Sequence, residues 1–104
     1  MEDIRVDVGV DTLLHVDLSE FDFLGVDCII FTIKNVVTVK AEPIVERHFY
    51  DAKVHDLIIT ANESAKLKNG AQYDFQKLLL DGTRIKISDN GNITLRMAVG
   101  DKVD

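Results

Sequence analysis

The sequence has no tryptophan, one cysteine (Cys28), one proline (Pro43), two tyrosines and five phenylalanines in 104 residues. A single cysteine excludes an internal disulfide. A secreted domain of this size would more often carry paired cysteines, so the expectation is a reducing cytoplasm. The shortage of flat rings counts against a carbohydrate platform. No apolar run approaches the roughly 20 residues of a membrane helix. The longest are Leu78–Leu80 and Val26–Phe31, and the second is interrupted by Asp27. The opening Met1-Glu-Asp-Ile-Arg5 is acidic and begins a strand pattern, unlike a signal or transit peptide. A basic stripe is also missing. Twelve Lys and Arg face eighteen Asp and Glu, a net charge of −6, with the acids dispersed. Such a surface repels phosphate backbones, so neither nucleic acid nor a membrane is expected as a partner.

What is present is alternation and turn chemistry. Ile4, Val6, Val8 and Val10 alternate with polar residues, and so do Leu14, Val16 and Leu18. Ser19 to Gly25 reads as a loop anchored by Phe21 and Phe23. Cys28 to Lys34 is apolar or neutral on both faces and is expected at the centre of its sheet. Val36 to Lys40 has strand composition, Pro43 ends it, and Val54 to Ile59 forms another strand. Thr60-Ala-Asn-Glu63 fits a capping box that starts a two-turn helix over 61–68, with Asn69-Gly70 as its left-handed cap. The last third reads as a meander: strand 71–80, an Asp81-Gly82 turn, strand 83–88, an Asn90-Gly91 turn and strand 92–99. Residues 99–104 are expected to fray.

Seven or eight short, turn-punctuated strands in one domain spanning 1–104 predict an all-β fold. The expected form is an antiparallel, immunoglobulin-like β-sandwich with one short helix. Tyr73 opens a strand after a helical turn, where such folds place a tyrosine that pins the corner. Phe75 stands where an antibody domain has its second cysteine. Gly70, Thr60 and Glu63 complete that expected corner.

Catalytic signals are weak, and no catalytic, cofactor or metal residue is assigned. Cys28 sits mid-strand among Ile and Phe, where burial makes a thiol inert. No Gly-x-Ser-x-Gly elbow, phosphate loop or dinucleotide fingerprint occurs. Asp89-Asn-Gly-Asn92 lacks the later acidic ligands of a calcium loop. Acid pairs are many, but a compact sandwich is expected to lack the cleft a glycosidase needs. His48, His55 and Asp51 would converge on a metal only if their segment folded into a suitable hairpin. Exposed apolar positions carry more weight. Leu78, Leu79 and Leu80 cannot all face one core, because strand side chains alternate, and Phe49-Tyr50 raises the same issue. These five residues are the candidate interface, the alternative being a second small cluster beneath a loop.

Two blocks carry a resemblance. One is Asp17-Leu-Ser with Gly25-Val-Asp-Cys-Ile-Ile-Phe-Thr-Ile-Lys34. The other is Ile58-Ile-Thr60, Glu63, Leu67-Lys-Asn-Gly70-Ala-Gln-Tyr73-Asp-Phe75, Leu80-Asp-Gly82 and Asn90-Gly91-Asn-Ile93-Thr-Leu95. Together they resemble the small β-sandwich proteins and domains of bacteriophage and prophage tail and baseplate genes. The resemblance implies a non-catalytic structural or assembly role, in the bacterial host cytoplasm or in a virion. It implies self-association, as a homo-oligomer, or docking to a tail component. A module binding a small ligand or carbohydrate is the alternative.

Overall fold

A computed structural model of the chain describes residues 3–38 and 40–97; the expected frayed end, 99–104, lies outside them. The architecture is all-β with one short helix. The strands are β1 (Ile4–Val8), β2 (Thr12–Asp17), β3 (Val26–Lys34), β4 (Val45–Phe49), β5 (Val54–Ile59), β6 (Gln72–Leu79), β7 (Arg84–Lys86) and β8 (Gly91–Met97), with α1 (Ala61–Lys66) between β5 and β6.

The main sheet has the order β1-β8-β6-β3-β4, and β7 lies on β6 as well. β3 is central, antiparallel to both β6 and β4. Ile29, Phe31 and Ile33 fill its inner face, while Cys28, Ile30 and Thr32 are buried on its outer face. A strand apolar on both sides can only be interior, which is why this segment takes the middle of the sheet. β2 and β5 form a separate antiparallel ribbon over the inner face. Val16, Leu57 and Ile59 from that ribbon, with Leu18 just past β2, meet Val6, Phe31, Tyr73 and Ile93 in one core.

The sheet departs from the expected antiparallel sandwich in one pairing and in its curvature. β1 and β8 run parallel, Ile4 opposite Ile93 through Val8 opposite Met97. The strands curl into a half-barrel instead of stacking as two flat faces. The meander is also simpler than its turn signals imply. Asp81-Gly82 does turn the chain, with Gly82 at φ 91°. Asn90-Gly91 does not. Gly91 is not among the positive-φ glycines, and β7 and β8 run along the same edge of β6: Ile87 N–H bonds to Phe75 O, and Asn92 lies opposite Gln72. Gly91 serves close approach instead, because a Cβ there would collide with the Tyr73 ring.

Two further expectations change. Among the described residues of 35–44 there is no strand. The described residues belong to the connection of the β3–β4 hairpin, closed by Ile44 N–H to Ile33 O at 2.8 Å, and the two sides of β3 are already taken by β4 and β6. The helix also ends earlier than predicted. Leu67 is already extended at ψ 144°, and the left-handed Gly70 (φ 93°) shapes the turn into β6.

α1 plugs one end of the half-barrel. Thr60 Oγ1 accepts from Glu63 N–H at 3.2 Å, and Glu63 Oε1 accepts from Thr60 N–H at 3.0 Å, completing the capping box. Ser64, fully buried, accepts from Gly9 N–H at 3.0 Å and donates to Ala61 O at 2.9 Å. Asp11 accepts from Ala61 N–H at 2.8 Å. These bonds hold the β1–β2 turn against the helix, and from there the two strands splay apart.

Candidate functional site

The splay of β1 from β2 opens the half-barrel at the end away from α1. β1 packs on β8 and α1, and β2 packs on β5. No described strand fills the space between them. The opening is a cleft of about 810 Å³. Its floor is aromatic: Phe31 lies 5.2 Å from Phe75 and 5.7 Å from Tyr73 between ring centroids. Ile4, Leu14, Val16, Leu18 and Ile87 form the walls, and Asp3, Arg5, His15, Asp17 and Ser88 the rim. The expectation of a sandwich without a cleft is therefore corrected. The physical reason is that the β2–β5 ribbon is too narrow to close the curl.

Both walls are unpaired strand edges. Asp7 N–H, turned away from β8, is taken by Thr12 Oγ1 at 3.3 Å. Alternate residues share a side, so the main-chain groups of Arg5 face the gap as well. On β2, Leu18 N–H reaches Lys53 O at 3.0 Å, which makes the even-numbered residues the ones bonded to β5. The main-chain groups of Leu13, His15 and Asp17 then face the gap.

The rim is charged, and His15 and Asp17 on it, like Asp7 beside it, already have partners. His15 Nδ1 meets Asp56 Oδ1, and Arg96 Nε donates to Asp7 Oδ1 at 2.8 Å. Hydrogen bonds from the Ser19 hydroxyl and N–H hold the Asp17 carboxyl below its usual range. Ser88 Oγ accepts from Phe75 N–H at 3.0 Å.

The sequence-predicted interface residues are not gathered into one patch. Leu80 is 75% exposed beside Leu24, which is 88% exposed, and Leu80 N–H to Gly25 O brings the two tips together. Leu78 and Leu79 are half-buried. Phe49 sits in the core at 6% exposure, whereas Tyr50 is exposed. Alternation thus sends one residue of the Phe49-Tyr50 pair inward and the other outward. Of the corner residues, Thr60 and Glu63 cap α1, Gly70 turns the chain into β6, and Tyr73 is buried against Gly91.

His48 and His55 lie on different faces. His55 Nε2 is 2.7 Å from Asp51 Oδ1, and its ring lies 4.9 Å from Phe49. His48 is on the outer face, with Nε2 at 2.8 Å from Glu46 Oε2 and Nδ1 at 4.0 Å from Cys28 Sγ. No group of three metal-ligating side chains occurs among the described residues. The alignment of Cys28, His48 and Glu46 was not foreseen from the sequence, because it depends on the β3–β4 register. Burial, then the Asp27 charge, pushes the Cys28 thiol up.

The cleft itself was also missed. Its best sequence signal is the charge at alternate positions of both strands (Arg5, Asp7, His15, Asp17), a device of edges left open. No helix of the described residues is long and apolar enough to cross a membrane. No family model, no curated protein and no solved structure matches this chain.

Proposed function

We propose that this chain is a non-catalytic structural or assembly module of the phage- or prophage-tail kind, acting in the bacterial cytoplasm or in a virion by binding protein. One observation carries the reading: an apolar cleft framed on both sides by unpaired strand edges. Buried apolar floor supplies affinity, and free main-chain donors and acceptors supply register, the combination used in recognition by strand addition. The turn and strand motifs around Leu67, Gly70, Tyr73 and Gly82 support the tail-protein part of the reading. The exposed Leu24 and Leu80 tips offer a second contact for self-association.

A small-ligand module is the second reading. The cleft volume of about 810 Å³ falls among those of ligand pockets, roughly 300–1,000 Å³. Its rings are tilted against one another, with Tyr73 and Phe75 nearly perpendicular, so they make no flat stacking platform and favour an apolar ligand over a sugar.

The first test is absolute mass by size-exclusion chromatography with light scattering over a concentration series, on the wild type and on Arg5→Pro. A discrete oligomer that Arg5→Pro dissolves places self-assembly at the open edge. A monomer at every concentration removes self-assembly and leaves docking to a different protein. Retention of a small apolar compound by the monomer, with no protein partner recovered from host or particle, would sink the assembly reading in favour of the second.

A further inference from the structure

The gap has a side-chain code that specifies its occupant. The cleft is lined by Asp3, Ile4 and Arg5 on one wall and by Leu14, His15, Val16 and Asp17 on the other. The two walls are not paired, so their levels are matched by counting equal steps from the turn at 9–11: Asp3 with Asp17, Ile4 with Val16, Arg5 with His15, and one step deeper Leu14 with Val6, whose side chain is fully buried. A strand laid between the walls would place its inward side chains between Ile4 and Val16 and between Val6 and Leu14, over the Phe31 and Phe75 rings. Those positions demand apolar residues. Its outward side chains would fall between Asp3 and Asp17 at the mouth, and between Arg5 and His15 one step deeper. The mouth is doubly acidic. The deeper step has Arg5 on one wall and, on the other, His15 already held by Asp56.

We propose that the occupant is an extended segment of a different protein, reading basic, apolar, acidic, apolar from the mouth inward, and added as a strand between β1 and β2. This rests on the protein-docking reading above and names the partner's chemistry. Charge argues against a second copy as the donor. Each chain carries −6, and the acidic mouth of one would meet another acidic surface. Length agrees with the lining. The cleft involves residues 3–5 on one side and 14–18 on the other, three residues on the β1 side and five along the other wall, at ~3.3 Å each.

The probe is the blocked pentapeptide Lys-Val-Glu-Val-Lys, whose side-chain order is the same along either wall. It is titrated into the full-length chain labelled with ¹⁵N. Two comparison peptides go with it: Glu-Val-Lys-Val-Glu, and the first peptide N-methylated at both valines. The expected result is saturable movement of the Arg5, His15 and Asp17 amide signals. Affinity should fall roughly fivefold for the charge-swapped peptide, and binding should be lost on N-methylation. Asp3→Asn with Asp17→Asn should bring the first two peptides to within about twofold of each other, reading the charge code without disturbing the core.

Each contrary result has its own meaning. Equal binding of the swapped peptide overturns the charge code and leaves protein docking standing. Equal binding of the N-methylated peptide overturns strand addition. If no peptide moves any gap signal at millimolar concentration, the strand proposal fails; if the assembly test then also recovers no partner, the docking reading fails with it.

Discussion

At Gly91, a residue absent from any turn geometry, the requirement is space. The Tyr73 ring occupies the volume of a Cβ, so the glycine is fixed by packing rather than by backbone freedom. Gly91→Ala should destabilise the chain by about 1–3 kcal/mol in urea unfolding, the usual cost of overpacking. Tyr73→Leu in the same background should recover part of that loss in a double-mutant cycle; full additivity would show that the ring is not the obstacle. Cys28 gives a second residue-scale test. Its thiol is buried near the start of β3 and its pKa is pushed up by burial and by Asp27, so little thiolate forms. A thiol reagent at pH 8 should label Cys28 only as fast as the protein unfolds. Rapid native labelling would contradict the packing of the outer face. The sequence foretold a buried thiol from its apolar neighbours. The approach of His48 could not be foretold, because it depends on which residues of β4 lie beside β3.

Among the elements, α1 shows how much local sequence can settle. Thr60 and Glu63 satisfy each other's main-chain donors three residues apart, and that geometry needs no tertiary partner. Thr60→Ala should cost about 1 kcal/mol, measured as a shift in the urea midpoint. The tertiary fold then adds Arg47, whose Nη2 donates to Glu63 Oε1 at 2.6 Å and to Ile58 O at 3.1 Å. Burial opposes the charge on Glu63. The hydrogen bonds from Arg47 and Thr60, with the Arg47 charge, outweigh it and hold the carboxyl below its ordinary value. The folded pKa is thus depressed. Its contribution is fully present above the unfolded glutamate pKa, about 4.3, and is lost as pH falls through the folded value. The stability difference between wild type and Glu63→Gln should be constant from pH 6 to 8 and shrink toward zero on acidification. A difference that grew with acid would refute the assignment. Segment 36–40 shows the limit of local signals. Its β-branched residues read as a strand, but both neighbours of β3 are already β4 and β6, and the described residues of the segment form no strand.

For the molecule as a whole, the deciding feature is that the curl does not close. Backbone parity gives a direct check. Arg5→Pro removes an N–H that faces the gap, whereas Val6→Pro removes one that faces β8 and disturbs a fully buried core position. Arg5→Pro should stay within about 1 kcal/mol of wild type, and Val6→Pro should lose cooperative thermal unfolding by circular dichroism. Equal damage from both would mean that β1 is paired on its two sides.

The residues by themselves determined the local terms: strand alternation in β1, β2 and β5, the two-faced apolar character that sends β3 to the centre, the Thr60–Glu63 cap and the Asp81-Gly82 turn. Each is settled by side-chain periodicity or by contacts a few residues apart, and such information lies along the chain. Only the tertiary structure decided the parallel pairing of β1 with β8, the run of β7 and β8 along one edge, and the gap between β1 and β2. Those depend on which edges are left once Phe31, Tyr73 and Ile93 have been buried together, a long-range competition that no short window of sequence records.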